Sequence, residues 1–221
     1  MPEHTGAGPS AAVPTLAVLD YGIGNLRSAQ KALQHVGAEA HLTADPSVIE
    51  QADGVVLPGV GNFGACMQAL VDTGLADQAR KAVERGQPFI GICVGMQMLF
   101  DGSDESPEVP GLGLLPGRVQ WLPDTVKRPQ MQWNQLKTVD HPLMNGLSGA
   151  WVYFVHSLAP VTGANVIATT DYGGPVVAAA ARDNVYATQF HPEKSAKAGL
   201  RLLSNFVELC ASNQKLGTDR T

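Results

Sequence analysis

Gly91-Ile92-Cys93-Val94-Gly95-Met96-Gln97 is the stretch that decides the fold of this chain. It follows an apolar run and precedes a helix-like one, so Cys93 is expected on the turn between a buried strand and a helix. The glycines two residues to either side leave room for the sharp turn of a nucleophile elbow. A thiol at a helix N-terminus also meets a dipole that favours the thiolate. Because an inert core cysteine needs neither glycine, the stretch predicts that Cys93 is a nucleophile.

A histidine and an acid that fit such a thiol lie far downstream. Residues 185–190 alternate like a strand and lead into His191-Pro192-Glu193. In extended geometry, residues two apart point to the same side, and Pro192 restricts the backbone between them. A carboxylate beside an imidazole holds its tautomer and stabilises the imidazolium, as in a Cys-His-acid triad. Alone, the segment fits an ordinary strand end; together with the elbow, it predicts a catalytic triad of Cys93, His191 and Glu193.

These motifs carry a family resemblance. Residues 91–97 and 191–193 resemble the signatures of the class I (triad) glutamine amidotransferases. Within that class, four segments resemble the glutaminase subunits of imidazole glycerol phosphate synthase: residues 20–25 (DYGIGN), 58–64 (PGVGNFG), 153–157 (YFVHS) and 191–195 (HPEKS). The similarity spans about residues 15–210, nearly the whole chain.

The resemblance implies an activity and a partner. The activity is hydrolysis of glutamine to glutamate and ammonia. The partner is a (βα)₈-barrel cyclase that uses the ammonia to make imidazole glycerol phosphate and aminoimidazole carboxamide ribotide in histidine biosynthesis, within a heterodimer. One alternative is a glutaminase subunit of another amidotransferase, such as anthranilate synthase, whose signature has His in place of Met96 and Pro in place of Val60. Another is a non-catalytic binding protein that keeps an elbow cysteine.

Amide hydrolysis also requires donors for the oxyanion. One is expected to be the N–H of Val94, directly after the nucleophile. The glycine-rich turn Gly59-Val60-Gly61 follows a neighbouring strand, and open α/β sheets bind ligands at that end. The resemblance implies that the peptide around Val60 and Gly61 supplies the second donor and is able to rotate; a mere tight turn is the other interpretation.

Further residues are assigned to the substrate and to the partner. Gln97 lies four residues after Cys93, on the same helix face, and the resemblance assigns it to holding glutamine. The resemblance also places His156 and Ser157 near glutamine, although a histidine in an apolar stretch is often a satisfied core residue. The residues implied at the partner interface are Asn25, Trp133, Tyr153 and Lys194. Lys194 also fits a plain surface lysine.

Two departures from the family pattern concern the coupling to the partner. Residues 130–134 (QMQWN) read in the family with His first and Gly in place of Gln132. Family members often carry an aromatic residue where Leu158 stands. Neither change touches the predicted triad.

Composition excludes several classes of protein. The chain has 221 residues, 44% of them hydrophobic, and a formal net charge of −5 without a basic run, which argues against nucleic-acid binding. No apolar stretch approaches the roughly 20 residues of a membrane span, and no signal peptide is recognised. The three cysteines lack metal-site spacing, so we expect no metal and a cytoplasmic location. The glycines of residues 22–24 lack the third glycine of a dinucleotide fingerprint, so no cofactor is expected.

Alternating strand-like and helix-like segments predict an α/β fold. We expect an open, mostly parallel sheet with helices on both faces and a more antiparallel C-terminal half. The predicted organisation is a flexible tail over residues 1–14, one domain over 15–210 and a frayed tail over 211–221. The predicted helices include residues 25–36 and 196–210. The predicted strands are residues 15–19, 54–57, 88–92, 117–122, 135–139, 151–155, 165–169, 175–180 and 185–190.

Overall fold

Strands and helices alternate through the first half of the chain and give way to mainly β structure in the second. The computed structural model describes residues 13–161, 163 and 165–218. In chain order the elements are β1 (Thr15–Leu19), α1 (Leu26–His35), β2 (Glu39–Thr43), α2 (Pro46–Gln51), β3 (Gly54–Gly59), α3 (Phe63–Asp72), α4 (Leu75–Glu84), β4 (Phe89–Cys93), α5 (Val94–Met98), β5 (Gly102–Ser103), β6 (Arg118–Trp121), β7 (Gln130–Gln135), β8 (Lys137–Thr138), β9 (Trp151–His156), β10 (Leu158–Pro160), β11 (Val166–Asp171), β12 (Pro175–Arg182), β13 (Val185–Thr188) and α6 (Ala196–Thr218).

The central sheet has eight strands in the order β2-β1-β3-β4-β13-β12-β11-β8. The pairs from β2 to β13 are parallel, and the pairs from β13 to β8 are antiparallel. Two smaller sheets, β10-β6-β5 and β7-β9, accompany it. The predicted fold class, a mostly parallel sheet with a more antiparallel C-terminal half, is confirmed.

The parallel strands form because they are apolar over their whole length. Every residue of β3, β4 and β13 is buried, as expected for strands that are covered on both faces. The covering helices form two groups. Helix α1 contacts α6, whereas α3 contacts α4 and α5. Helix α1 shows the pattern that drives this packing, since Leu26, Ala29 and Leu33 make its buried face.

Two predicted elements differ from the structure. The strand expected at 135–139 is only β8, and the longer strand β7 lies just before it, where no strand was predicted. Only Gln130 of β7 is buried, and the strand has just two apolar residues, Met131 and Trp133, too few for a clear alternating signal. Helix α6 continues to Thr218, past its predicted end at residue 210. Residues 1–12 of the predicted N-terminal tail and residues 219–221 lie outside the described residues. Fraying of the C-terminal tail stays a prediction.

Three neighbouring parallel strands bring the predicted chemistry together. β3 ends at Gly59, β4 ends at Cys93, and these two residues are partners in the strand register. β13 lies on the other side of β4 and leads into His191. Because parallel strands end at one edge of the sheet, the nucleophile, the glycine-rich turn and the histidine meet at the carboxyl edge of the sheet.

Candidate active site

Cys93 sits on the elbow that the sequence predicts. Its backbone has φ 57° and ψ −114°, in a region that L-residues rarely adopt. A Cβ on Gly91 would lie 2.6 Å from the carbonyl oxygen of Gly95, and a Cβ on Gly95 would lie 1.8 Å from that of Leu57. The steric need for both glycines is therefore confirmed. The clash at Gly95 comes from the neighbouring strand β3 rather than from within the turn.

His191 and Glu193 form a buried pair. The Nδ1 atom of His191 lies 2.8 Å from Oε1 of Glu193, and the two side chains are 2% and 5% exposed. Their meeting does not come from strand alternation, because β13 ends at Thr188 and a 3₁₀ turn over Pro192–Lys194 begins directly after His191. Pro192 favours that turn because its fixed φ suits the first helical position. The proximity predicted from extended geometry is thus correct, but its structural cause is different.

The charge state of His191 follows from its surroundings. Burial lowers the pKa of His191, but hydrogen bonding to Cys93 and Glu193 and the charges of both outweigh it and raise the pKa to about 9. His191 therefore carries a proton at neutral pH. In this state the Nδ1–H of His191 donates to Glu193. The Nε2–H is available to donate to a group at the opposite edge of the ring.

The glycine-rich turn packs against the elbow. A Cβ on Gly59 would lie 2.5 Å from the amide nitrogen of Gly95, so only glycine lets β3 approach Cys93 this closely. Gly61 has φ +93°, which an L side chain rarely adopts. Two buried side chains hold the carbonyls of this turn: the Tyr21 hydroxyl donates to Pro58 at 2.6 Å, and the Cys66 thiol donates to Val60 at 3.3 Å.

A cavity of about 300 Å³ opens in front of Cys93. The predicted residues that line it are Val60, Gly61, Cys93, Val94, Gln97, His156, Ser157, His191 and Lys194. Gly59 does not line it; with Asn25 and Glu193 it borders a small cavity behind the turn. Nearly all of the predicted substrate residues are therefore brought to one concave site.

Gln97 and His156 are almost fully buried at the wall of this cavity, 3% and 5% exposed. The amide nitrogen of Gln97 donates to the carbonyl of Leu158 at 3.1 Å. The Nδ1 atom of His156 lies 2.8 Å from the same oxygen. Burial lowers the pKa of His156 to about 4, so its ring is neutral. His156 is thus both a satisfied core histidine and part of the cavity wall.

Two of the residues predicted to face a partner lie on strands β7 and β9, and the other two line cavities at the site. Trp133 and Tyr153 are opposite each other on β7 and β9, with their ring centroids 6.1 Å apart in an edge-on arrangement. Asn25 caps no backbone group of α1 through its side chain but accepts a 2.7 Å hydrogen bond from Ser28. Lys194 lines the cavity itself. Partner binding by these residues stays a prediction.

Sequence reasoning missed three residues of the site. Glu105 lines the cavity and accepts a 2.6 Å hydrogen bond from the Phe63 amide. The side-chain nitrogen of Gln189 lies 3.9 Å from the sulfur of Cys93, and Tyr21 holds the glycine-rich turn. Glu105 belongs to an acidic run and Gln189 directly precedes the histidine motif, but neither position carries a distinguishing pattern in a single sequence.

The other two cysteines are buried in the core. Cys66 and Cys210 are 0% exposed. Burial raises the pKa of both thiols. Within the described part of the chain, no three potential metal-ligating side chains cluster. Across residues 13–161, 163 and 165–218, no helix has the length and apolar character that crossing a membrane requires.

Comparison with known proteins identifies relatives over nearly the whole chain. The profile of the family described as "Glutamine amidotransferase class-I" matches residues 17–210. The "Imidazole glycerol phosphate synthase subunit HisH" of Methanothermobacter thermautotrophicus is 50% identical over 196 residues, which cover 88% of this chain and 98% of the relative. The protein of the same name from Gloeobacter violaceus is 49% identical over 210 residues, 91% of this chain and 92% of its own. Among solved structures, one described as a glutamine amidotransferase superposes with a TM-score of 0.71 at 25% identity, covering 88% of this chain and 98% of its own.

Proposed function

This chain belongs to the class I glutamine amidotransferases and, among them, to the HisH subunits of imidazole glycerol phosphate synthase, and we propose that Cys93, His191 and Glu193 are the triad with which it hydrolyses glutamine. It is a glutaminase subunit that serves histidine biosynthesis. The two alternatives were a glutaminase subunit of another amidotransferase, such as anthranilate synthase, and a non-catalytic binding protein; neither fits membership of the HisH subunits. The observation that carries the triad is the 2.8 Å contact of His191 with buried Glu193, beside a cysteine on a strained elbow.

In the first half-reaction the thiolate of Cys93 attacks the side-chain carbonyl carbon of glutamine, and a C–S bond forms while the oxygen becomes an oxyanion. Because His191 is already protonated at neutral pH, it acts as the acid. It gives its proton to the leaving nitrogen as the C–N bond breaks. Ammonia departs, and a γ-glutamyl thioester remains on Cys93.

In the second half-reaction His191, now neutral, takes a proton from water as the water attacks the thioester. The C–S bond breaks, glutamate leaves, and the thiolate and the imidazolium are restored. Glu193 holds the ring through Nδ1 in both steps and balances its charge. One water is consumed and one ammonia is released in each cycle.

The oxyanion is stabilised by backbone donors. Val94 is the first residue of α5, so its N–H has no partner within the helix. The second donor is a peptide N–H of the turn at Val60 and Gly61, which lines the same cavity. Removal of one such donor typically costs about 10²–10³ in turnover.

Glutamine is held by the polar part of the cavity wall. Among the described residues that line it, Glu105 is the one carboxylate, and it complements the ammonium group of an amino acid. Gln97 uses its amide nitrogen within the protein, which leaves its oxygen to accept a hydrogen bond from the substrate. Ser157 lines the cavity beside them.

The partner that receives the ammonia is a (βα)₈-barrel cyclase, which docks on the ribbon of β7 and β9. This ribbon exposes large apolar side chains: Met131 is 62% exposed, Trp133 44% and Trp151 54%. Such a cluster on a water-soluble surface is typical of a protein interface. Asn25, Tyr153 and Lys194 continue the interface toward the triad.

Covalent labelling tests the proposal. An electrophilic glutamine analogue is expected to modify Cys93, with glutamate release from glutamine lost in parallel. Cys93→Ala should abolish glutamine use by the synthase while leaving synthesis from added ammonium salts. Cys210→Ala is the matched control, because it removes a buried thiol outside the cavity and should leave labelling intact. A label mapped to Cys66 or Cys210 would disprove the assignment.

A further inference from the structure

We propose that Gln189 is a further catalytic residue, whose side-chain N–H donates a hydrogen bond to the sulfur of Cys93 and stabilises the thiolate. The proposal rests on the proposed role of Cys93 as the nucleophile. Gln189 is fully buried directly after β13, and its Nε2 atom lies 3.9 Å from Sγ of Cys93. As a neutral donor it favours negative charge on sulfur without adding a charge of its own, unlike His191.

The orientation of the Gln189 amide is fixed by Gln97. The Nε2 atom of Gln97 donates to Oε1 of Gln189 at 3.1 Å. A side-chain amide has its donor and acceptor on opposite arms. With the oxygen arm engaged by Gln97, the nitrogen arm of Gln189 points to the sulfur.

The orientation of Gln97 is fixed in turn by a backbone carbonyl. The same Nε2 atom donates to the oxygen of Leu158 at 3.1 Å. A carbonyl oxygen only accepts, so this position requires the nitrogen of the Gln97 amide and not its oxygen. One main-chain oxygen therefore sets the direction of both amides and ends in an N–H facing Cys93.

His156 and Gln130 complete this buried chain. His156 lies 2.8 Å from the Leu158 oxygen through Nδ1, so Nδ1 carries the proton of the neutral ring and Nε2 is an acceptor. Nε2 lies 3.0 Å from Oε1 of Gln130, an acceptor facing an acceptor, while the buried Nε2 of Gln130 has no described partner. Rotating the Gln130 amide by half a turn removes the contact between two acceptors and gives the Nε2 atom of Gln130 a partner in His156. Gln130 then donates to His156, which holds the carbonyl that orients Gln97.

At position 130 this chain differs from the family pattern in a residue of this hydrogen-bonded series. The family pattern has a histidine there, whereas this sequence has a glutamine, which supplies an N–H donor that does not depend on pH near neutrality. Gln130 and His156 are partners in the register of β7 and β9. The buried series of hydrogen bonds thus begins at Gln130, on the ribbon of β7 and β9 that exposes the aromatic surface, and ends at Cys93.

The pH dependence of Cys93 alkylation by iodoacetamide tests the donor directly, in the full chain without glutamine, by peptide mass. The thiolate is the reactive form. Gln189→Met keeps the length of the side chain and removes the donor. It should move the pH midpoint of alkylation upward by about 0.5–1 unit, a roughly three- to tenfold loss of thiolate at a fixed pH below the midpoint. Gln189→Glu replaces the donor by an acceptor and should move the midpoint further.

Gln87→Leu is the matched control. Gln87 is also buried, and its amide nitrogen donates to the carbonyls of Ile49 and Ala52, away from the site. It should lower the free energy of unfolding and leave the alkylation midpoint in place. Equal midpoints for the wild type and a folded Gln189 variant would overturn the proposal; if Gln189→Met does not fold, Gln189→Leu, which removes the donor without adding a charge, decides. These outcomes are distinct from failure of the triad, in which the electrophilic glutamine analogue would not label Cys93.

Discussion

The main-chain N–H of His191 donates a 3.1 Å hydrogen bond to the carbonyl of Tyr153. The hydroxyl of Ser195 closes this link, because it accepts from the Tyr153 N–H at 2.9 Å and donates to the His191 carbonyl at 2.6 Å. Tyr153 lies on β9, the strand proposed to face the cyclase, and His191 belongs to the proposed triad. We therefore expect that a displacement of β9 on docking is transmitted to the imidazole through these backbone contacts.

Ser195→Ala should weaken this link while leaving every titrating group of the site in place. We expect a loss of roughly tenfold in glutaminase turnover of the complex, because small displacements of a catalytic group have large effects on rate. The measurement is kcat and KM for glutamine, with the loss falling on kcat. Ser212→Ala is the control: Ser212 lies on α6, the helix that begins directly after Ser195, and its hydroxyl donates to the backbone of Glu208. Equal losses in both variants would contradict the link.

His191→Ala should lose orders of magnitude in glutaminase turnover, and Glu193→Gln less, because the histidine transfers protons and the acid orients it. The charge of Glu193 helps to raise the pKa of His191 to about 9. Its removal should lower that pKa, so the alkaline limb of the pH–kcat profile moves to lower pH. Glu208→Gln, an exposed change on α6, should leave the profile unchanged. An unshifted limb in Glu193→Gln would argue against the pair.

His156 predicts a loss of stability in acid. Its pKa is lowered from 6.5 to about 4 by burial, so between these values the unfolded chain binds a proton that the folded chain does not. The free energy of unfolding is therefore unaffected by protonation of His156 above pH 6.5. It falls by about 3 kcal/mol as the pH falls from 6.5 to 4. Urea unfolding at several pH values should show a shallower slope in this window for His156→Gln than for the wild type. Parallel curves would mean that His156 does not titrate on unfolding.

The sequence predicted the triad and the central strands because each has a local signal. Flanking glycines mark the elbow at Cys93, and continuous apolar runs mark β3 and β4. Strand β7 had no such signal, because Met131 and Trp133 are its two apolar residues and both are exposed. Gln189 and Glu105 escaped for a different reason. Their roles arise from contacts across the fold, with Gln97 on α5 and with Phe63 at the start of α3, and a single sequence contains no pattern for such contacts.

The glycine-rich turn suggests how glutamine hydrolysis is restrained when no acceptor is present. Tyr21 and Cys66 hold the carbonyls of Pro58 and Val60. Burial raises the pKa of Tyr21, and Cys66 adds to the shift, so the hydroxyl remains a donor. Among the described residues, no side chain donates to the carbonyl of Gly59 between them. We therefore expect rotation at the one peptide that joins Gly59 to Val60, and we propose that its orientation decides whether an N–H or a carbonyl faces the oxyanion.

We therefore expect the isolated chain to be nearly idle and the ligand-loaded cyclase to raise its glutaminase turnover by about tenfold or more, since one donor is worth about 10²–10³. A partner shifts this equilibrium only if it prefers the active orientation. Lys194→Ala should raise the glutamine consumed per product formed.

Tyr21→Phe frees the Pro58 carbonyl and should reduce the stimulation by the cyclase. Tyr172→Phe, which removes a hydroxyl that donates to the Lys127 backbone elsewhere, should not. Full turnover of the chain alone, unchanged by the cyclase, would rule out this switch even with the triad intact.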